Sequence, residues 1–336
     1  MRSRYYILIL CCGLLAACNS TPEEPQFPFE ETITQELMPL QGITDPFMLE
    51  VKHPFLIVQN MQRSDSILHI YDLTNYELKS AFGREGRGPG EFGFMQLYHT
   101  PFSDIFIGDI NTNVVFRYGI DEEGQSVHKE TIESKYKGNH SLAGAAFIND
   151  SLYVLSDALY RPSGNIDLLS LQSEVAIRTK PYRNLDISDP EKDIDLGYTY
   201  ANESRIALAY GYKKQIDFMD TDLNLIKRVE FKYDYPTDVT NRGDRKWSYG
   251  YSYFGKHYYY TLFYGISEDE YNARSLSNIS LEVFDLDGNP VARYYLDGII
   301  PDNFVVDEET FTLYGVLYGN AEFVDCLSVY RLKGLR

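Results

Sequence analysis

Apolar and polar positions change places every few residues along this chain, and beyond the N-terminal segment no stretch keeps the 3.6-residue period of a helix. Short β-type runs such as "PFMLEV" and "FLIVQN", "FMQLYH" and "DIFIGD", and "AGAAFIN" and "SLYVLS" come in pairs, separated by Gly, Asn and Asp turns. Between these pairs a hairpin pattern recurs, in which an apolar strand ends in an aromatic or apolar anchor and a polar turn leads to a second strand. Its copies read "LHIYDLTNYELKSAF", "VVFRYGIDEEGQSVHKETI", "IDLLSLQSEVAIRT", "IDFMDTDLNLIKRVEF" and "LEVFDLDGNPVARYYL", with a sixth first half in "LSVYRLKGLR". The residues after the anchors are Asp72, Gly119, Ser170, Asp220, Asp285 and Arg331, at intervals of 47, 51, 50, 65 and 46. Each interval holds four strands, which predicts an all-β, six-bladed β-propeller with an insertion of about fifteen residues in the fifth blade. The last blade reads "DNFVVD", "TFTLYGV" and "CLSVYRL" and lacks a fourth strand. "EETITQELMPL", Glu30 to Leu40, is a strand without a hairpin partner, so it is expected to close the last blade and remove an open sheet edge.

The N-terminus has a different pattern. Arg2 and Arg4 precede thirteen apolar residues, Tyr5 to Ala17, a run shorter than the roughly 20 residues of a membrane span but suited to a signal peptide. It ends in Leu15-Ala16-Ala17-Cys18, which resembles the bacterial lipobox, and that resemblance implies cleavage before Cys18 and acylation of it. Several acyl chains hold a protein firmly on a bilayer. The expected organisation is a signal peptide over 1–17, an acidic Pro-rich tether over 18–29 and the propeller over 30–336. Asn19 is not the aspartate that commonly retains lipoproteins at the inner membrane, so the outer membrane is the expected location. Cys11 and Cys12 leave with the signal, and Cys326, in the apolar "FVDCLSVY", is expected to be a buried thiol without a disulfide partner.

"FGREGRGPGEFG", Phe82 to Gly93, is the one glycine-rich segment that suggests a phosphate cradle. A dinucleotide or P-loop fingerprint needs a helix after it, whereas here a strand follows and no G-K-[ST] is present. The glycines Gly83, Gly86, Gly88 and Gly90 are read instead as turn residues with access to positive φ. Together with "DIFIGDINTNVVFRY", the segment resembles the NHL-repeat signature, in which a Gly-Pro-Gly connection precedes a strand and an Asp-x-x-Asn turn. Asp109 and Asn113 stand one residue further apart than usual. With the lipobox and the blade count, the whole chain is similar to the TolB-like six-bladed propeller lipoproteins of Bacteroidetes. That resemblance implies architecture more than activity.

Composition narrows the functional classes. Lys and Arg number 31 against 49 Asp and Glu; removal of residues 1–17 takes two Arg and no acid, so the mature charge is 29 minus 49, or −20. Such a field opposes nucleic acid. No two His have metal-ligand spacing, no G-x-S-x-G occurs, and "DTDLN" and "DLDGN" start like calcium loops but fall in hairpin turns, so no cofactor and no metal are expected. The longest loops, 180–196, 234–247 and 264–278, all fall on the propeller face that carries the blade-to-blade connections. On that face Arg87, Arg161, Arg242, Arg245, Trp247 and Tyr249 are the candidate partner-binding residues, since guanidinium forks and aromatic rings supply typical hot-spot chemistry. In "WSYGYSYF", alternation puts Trp247, Tyr249, Tyr251 and Tyr253 on one side of a strand, either as a stacking wall or as packing between blades. The expected role is a monomeric, non-enzymatic binding module for a peptide, glycan or envelope protein. The alternative is a lactonase- or lyase-like propeller enzyme with metal-binding carboxylates, such as Asp109, Asp157 and Asp302, at the channel mouth.

Overall fold

A computed structural model describes residues 26–61, 66–86, 88, 91–137, 142–156, 164–182, 195–232, 246–273, 279–317 and 325–336. Two strands open it, β1 (Phe29–Thr34) and β2 (Glu36–Pro39). The first blade follows as β3 (Pro46–Lys52), β4 (Phe55–Asn60), β5 (Leu68–Asp72) and β6 (Leu78–Phe82). A short parallel pair, β7 (Arg84–Glu85) and β8 (Glu91–Phe92), leads into the second, β9 (Met95–Tyr98), β10 (Ile105–Asp109), β11 (Val114–Ile120) and β12 (Ser126–Glu133). The third is β13 (Ala146–Phe147), β14 (Leu152–Ser156), β15 (Asn165–Ser170) and β16 (Arg178–Pro181). The fourth is β17 (Gly197–Ala201), β18 (Ile206–Tyr210), β19 (Gln215–Met219) and β20 (Leu225–Glu230). In the fifth, β21 (Lys246–Phe254) and β22 (Tyr258–Ser267) are followed by the inserted turn of helix α1 (Glu268–Asn272), then β23 (Ser280–Asp285) and β24 (Pro290–Asp297). The sixth comprises β25 (Asn303–Asp307), β26 (Thr312–Val316) and β27 (Cys326–Arg331). Among the described residues six sheets of four or five strands follow one another in chain order and confirm the propeller.

Burial explains why the strands read as they do. The second strand of a blade has neighbours on both faces and is buried throughout, as in "FLIVQN" and "IALAY", whereas outer strands such as β12 and β20 are mostly exposed. Buried side chains gather between adjacent blades. Ile57 and Leu97 share a cluster between the first and second, Phe106 meets Phe147 between the second and third, and Phe218 meets Phe284 between the fourth and fifth.

The N-terminal segment closes the ring, but as two strands rather than one. β2 pairs antiparallel with β27 and supplies the missing fourth strand of the sixth blade. β1 instead lies parallel to β24 and adds a fifth strand to the fifth blade. The break falls at Gln35, whose N–H donates to Asp297 O at 3.3 Å while its Oε1 accepts from Ile299 N at 3.0 Å. Gly298 makes the crossing possible: its φ is +134°, and a Cβ there would sit 2.7 Å from the Gln35 side chain. Packing begins before the expected domain start, because Phe27 is buried against Phe284.

The aromatic strand also departs from simple alternation. β21 carries two register shifts against β22, between Trp247 and Tyr249 and between Tyr249 and Ser252. Each shift rotates the following side chains. Tyr249 therefore packs toward the fourth blade, while Tyr253 joins the cluster shared with the sixth and Trp247 and Tyr251 pack against it. Tyr251 reaches both Phe304 of the sixth blade, at 5.5 Å, and Tyr200 of the fourth, at 6.1 Å.

Candidate functional site

The glycine-rich segment is scaffold. Phe92 is buried and meets Phe116 edge-on at 4.9 Å, anchoring the connection that enters the second blade. Gly88 N donates to Glu91 Oε2 at 2.8 Å, and Gly93 N donates to Asp109 Oδ2 at 2.9 Å. Asp109 thus serves a turn, also accepting from Asn111 N at 3.1 Å, and Asn113 takes the left-handed conformation that ends it. Among the described glycines of this segment only Gly83 has positive φ. Gly86 is needed for another reason, since a Cβ there would overlap the Glu91 carboxylate.

Of the residues singled out on the long-loop face, Arg87, Arg161, Arg242 and Arg245 lie outside the described residues, as do Asp157 and Cys18. Trp247 is half-buried, 5.2 Å from Tyr271 and 6.1 Å from Tyr264. Tyr249 is only 2% exposed, and its hydroxyl donates to Glu282 Oε2 at 3.0 Å, so this ring belongs to the wall between blades and not to a surface. Asp302 accepts from Tyr271 Oη at 3.1 Å. In the two calcium-like turns, Asp220 and Asp285 each accept from two backbone N–H groups and an Asn amide of their own turn. Among the described residues no three His, Cys, Asp or Glu side chains converge as metal ligands. Cys326 is half-buried, and burial and the adjacent Asp325 push its thiol pKa up, away from nucleophile chemistry.

A cavity of about 1170 Å³ opens on the opposite face, among the short turns. It is built by the turns between first and second strands of five blades: His53 and Pro54, Thr100 to Ser103, Asn202 and Glu203, Gly255 to His257, and Asp307 to Glu309. Phe55, Phe102, Phe254 and Phe311 line its wall. Neighbouring turns are tied together: Asn202 Nδ2 donates to Gly255 O at 2.8 Å, and Glu308 accepts from the N–H groups of His257 and Tyr258 at 2.9 and 3.1 Å.

The inner end of this cup is a buried charge cluster. Glu50 lies on β3, the innermost strand of the first blade, and is 0% exposed. Lys52, two residues on and therefore on the same side, donates to Glu50 Oε1 at 2.5 Å and to both oxygens of Thr100. Thr100 N donates to the same Oε1 at 3.1 Å. His99 Nδ1 lies 2.8 Å from Glu50 Oε2 and its Nε2 2.8 Å from Phe254 O, while the ring packs 4.3 Å from Tyr253. Burial pushes the Glu50 carboxyl up, but His99 and Lys52 outweigh it and hold the group below the ordinary carboxylate value. Because the second and fifth blades stand opposite one another in a ring of six, the His99–Phe254 bond crosses the channel.

One further pair sits at the mouth. His53, with its side chain 44% exposed, has Nδ1 3.4 Å from Oδ1 of buried Asp307, whose Oδ2 accepts from Thr310 Oγ1 at 2.7 Å. The turns of this face are short and carry little sequence signal of a site. The available signal was Glu50 with Lys52, a charge pair at i and i+2 inside an otherwise apolar innermost strand.

With the architecture and the cup established, comparison with known proteins gives the class. The family described as TolB-like 6-blade propeller-like matches residues 26–309, and the chain belongs to that family. Among solved structures, an exported protein of Bacteroides fragilis superposes with a TM-score of 0.56 at 11% identity, over 91% of this chain and 99% of that one. A member of the DUF4221 family from Bacteroides vulgatus gives 0.55 at 16% identity, over 89% and 96%. At these identities the likeness is one of fold. No curated protein matches the chain.

Proposed function

We propose that this propeller is a non-catalytic binding module of the bacterial envelope, exported, acylated at Cys18 and held at the outer membrane. Its ligand is a peptide, glycan or envelope protein. The observation that carries the reading is the cup: a large cavity framed by five blades, whose innermost ionisable groups pair with one another. Aromatic walls and exposed charges at the rim are recognition chemistry. The signal sequence and lipobox support export and anchoring, and Cys18→Ser is expected to release the protein from membranes or stall its processing, read by fractionation.

The two faces are separated by paired variants in a pull-down from the native envelope. Glu203→Lys with Lys256→Glu alters the cup rim, and Arg242→Glu with Arg245→Glu alters the long-loop face, where Arg87, Arg161 and Trp247 are the other proposed contacts. Partner loss with the first pair only assigns the cup, and loss with the second only assigns the long loops. Equal recovery from both removes the binding reading. A second reading has one observation in its favour, the His53–Asp307 pair, because an exposed imidazole held by a buried carboxylate suits a general base. Turnover of a small molecule that disappears in His53→Gln would support it.

A further inference from the structure

We infer that Lys52, Glu50 and His99 form an acid-sensitive bolt across the channel: with Glu50 charged they tie the first, second and fifth blades, and protonation of Glu50 frees His99 from the fifth blade while the propeller stays folded. This goes beyond ligand binding and does not depend on it.

Both ring nitrogens of His99 face acceptors at 2.8 Å, a carboxylate oxygen and a backbone carbonyl. A neutral imidazole has one N–H and serves only one of them, whereas the doubly protonated ring serves both. Lys52 is likewise engaged, with Glu50 and both Thr100 oxygens around its ammonium. The Lys52 ammonium and the His99 ring therefore converge on one fully buried carboxylate. When that carboxylate takes up a proton, both lose their anionic partner in a poorly hydrated place, and the more exposed of the two gives way. That is His99, whose side chain is 22% exposed against 10% for Lys52 and which borders the cup.

The surroundings leave Glu50 as the trigger. From the first blade Lys52 faces it, from the second His99 and Thr100, and from the fifth Tyr251 and Tyr253. Burial drives both phenols far above their ordinary values, so they stay neutral. Asp307 and Glu308 of the sixth blade act on Tyr253 from behind. Glu50 titrates lower in the folded chain than its usual 4.5, so its contribution is fully present above that pH and is lost as pH falls through the lower folded value. The release window thus lies below about 4.5. Ring closure by β2 and the apolar walls between blades does not involve these groups, so a local opening is available without global unfolding.

The test uses nuclear magnetic resonance on the folded domain. The Thr100 amide, which donates to Glu50, and the His99 ring signals are followed from pH 7 downward beside far-ultraviolet circular dichroism. The expected result is one joint step of both signals below about pH 4.5 with the circular dichroism unchanged. In Glu50→Gln the step should vanish, and hydrogen-exchange protection of Thr100 at pH 7 should drop by about tenfold or more. If Glu50→Gln does not fold, Glu50→Gln with Lys52→Met removes the stranded cation and serves the same measurement. Signals that move only with global unfolding, or an acid step that persists without Glu50, would overturn the bolt.

Discussion

Among the described residues two glutamates are fully buried, Glu50 beside Lys52 and His99 and Glu282 beside Lys214 and Arg293, and they do different things. Glu50 stands at the channel beside a water-accessible cup. Glu282 stands in the wall between the fourth and fifth blades, with Lys214 Nζ at 3.2 Å, Arg293 Nη2 at 3.1 Å and the Tyr249 hydroxyl at 3.0 Å. Its cations are also shielded by rings: Lys214 lies 3.6 Å from the Phe263 centroid and Arg293 4.5 Å from that of Phe27. A buried glutamate with two basic partners is thus a rivet where aromatic rings and sheet enclose it and a bolt where one partner borders an open cavity. Surroundings, more than partners, separate the two roles.

The largest expected effect tests the rivet. Glu282→Ala leaves Lys214 and Arg293 without their buried carboxylate and should cost about 3–5 kcal/mol in urea unfolding. A loss no greater than that of Glu203→Ala on the rim would break the comparison. Next, Phe27→Ala removes the ring over which Arg293 lies and a buried contact with Phe284, and should cost about 3 kcal/mol in the same assay. A smaller effect belongs to the bolt. Wild-type stability should fall as pH drops below about 4.5, and Glu50→Gln with Lys52→Met should flatten that part of the profile. The smallest is Glu30→Gln. Glu30 is 40% exposed and 3.7 Å from Arg293, so the change should lie within about 0.5 kcal/mol, the ordinary worth of an exposed pair.

Much of the fold was legible because a propeller writes its repeat into the turns. The Asp, Gly and Asn of "DTDLN" and "DLDGN" cap hairpins by their own hydrogen bonds, so they mark the register whatever the ligand. The unpaired "EETITQELMPL" forecast ring closure for the same reason, that a blade with three strands needs a fourth. Its division at Gln35 was not legible, because it depends on Gly298, more than 250 residues away. Alternation failed in "WSYGYSYF" because bulges carry no composition signal there, and Tyr249 was misplaced on a surface in consequence. The cup escaped notice because it is assembled from short stretches of five turns, each ordinary on its own.

The two-strand N-terminal strap has a mechanical meaning. β1 is held to β24 along six paired positions, Phe29 to Thr34, and the strands run in the same direction. A pull on the residues before Phe27, directed along β1, therefore loads this ladder in shear, with its bonds sharing the force instead of opening one by one. Beyond Gln35 the load passes through β2 into β27, so tension on the leash is delivered to the seam where the ring is joined. A membrane tether attached there would strain the closure of the propeller before it strained any single blade.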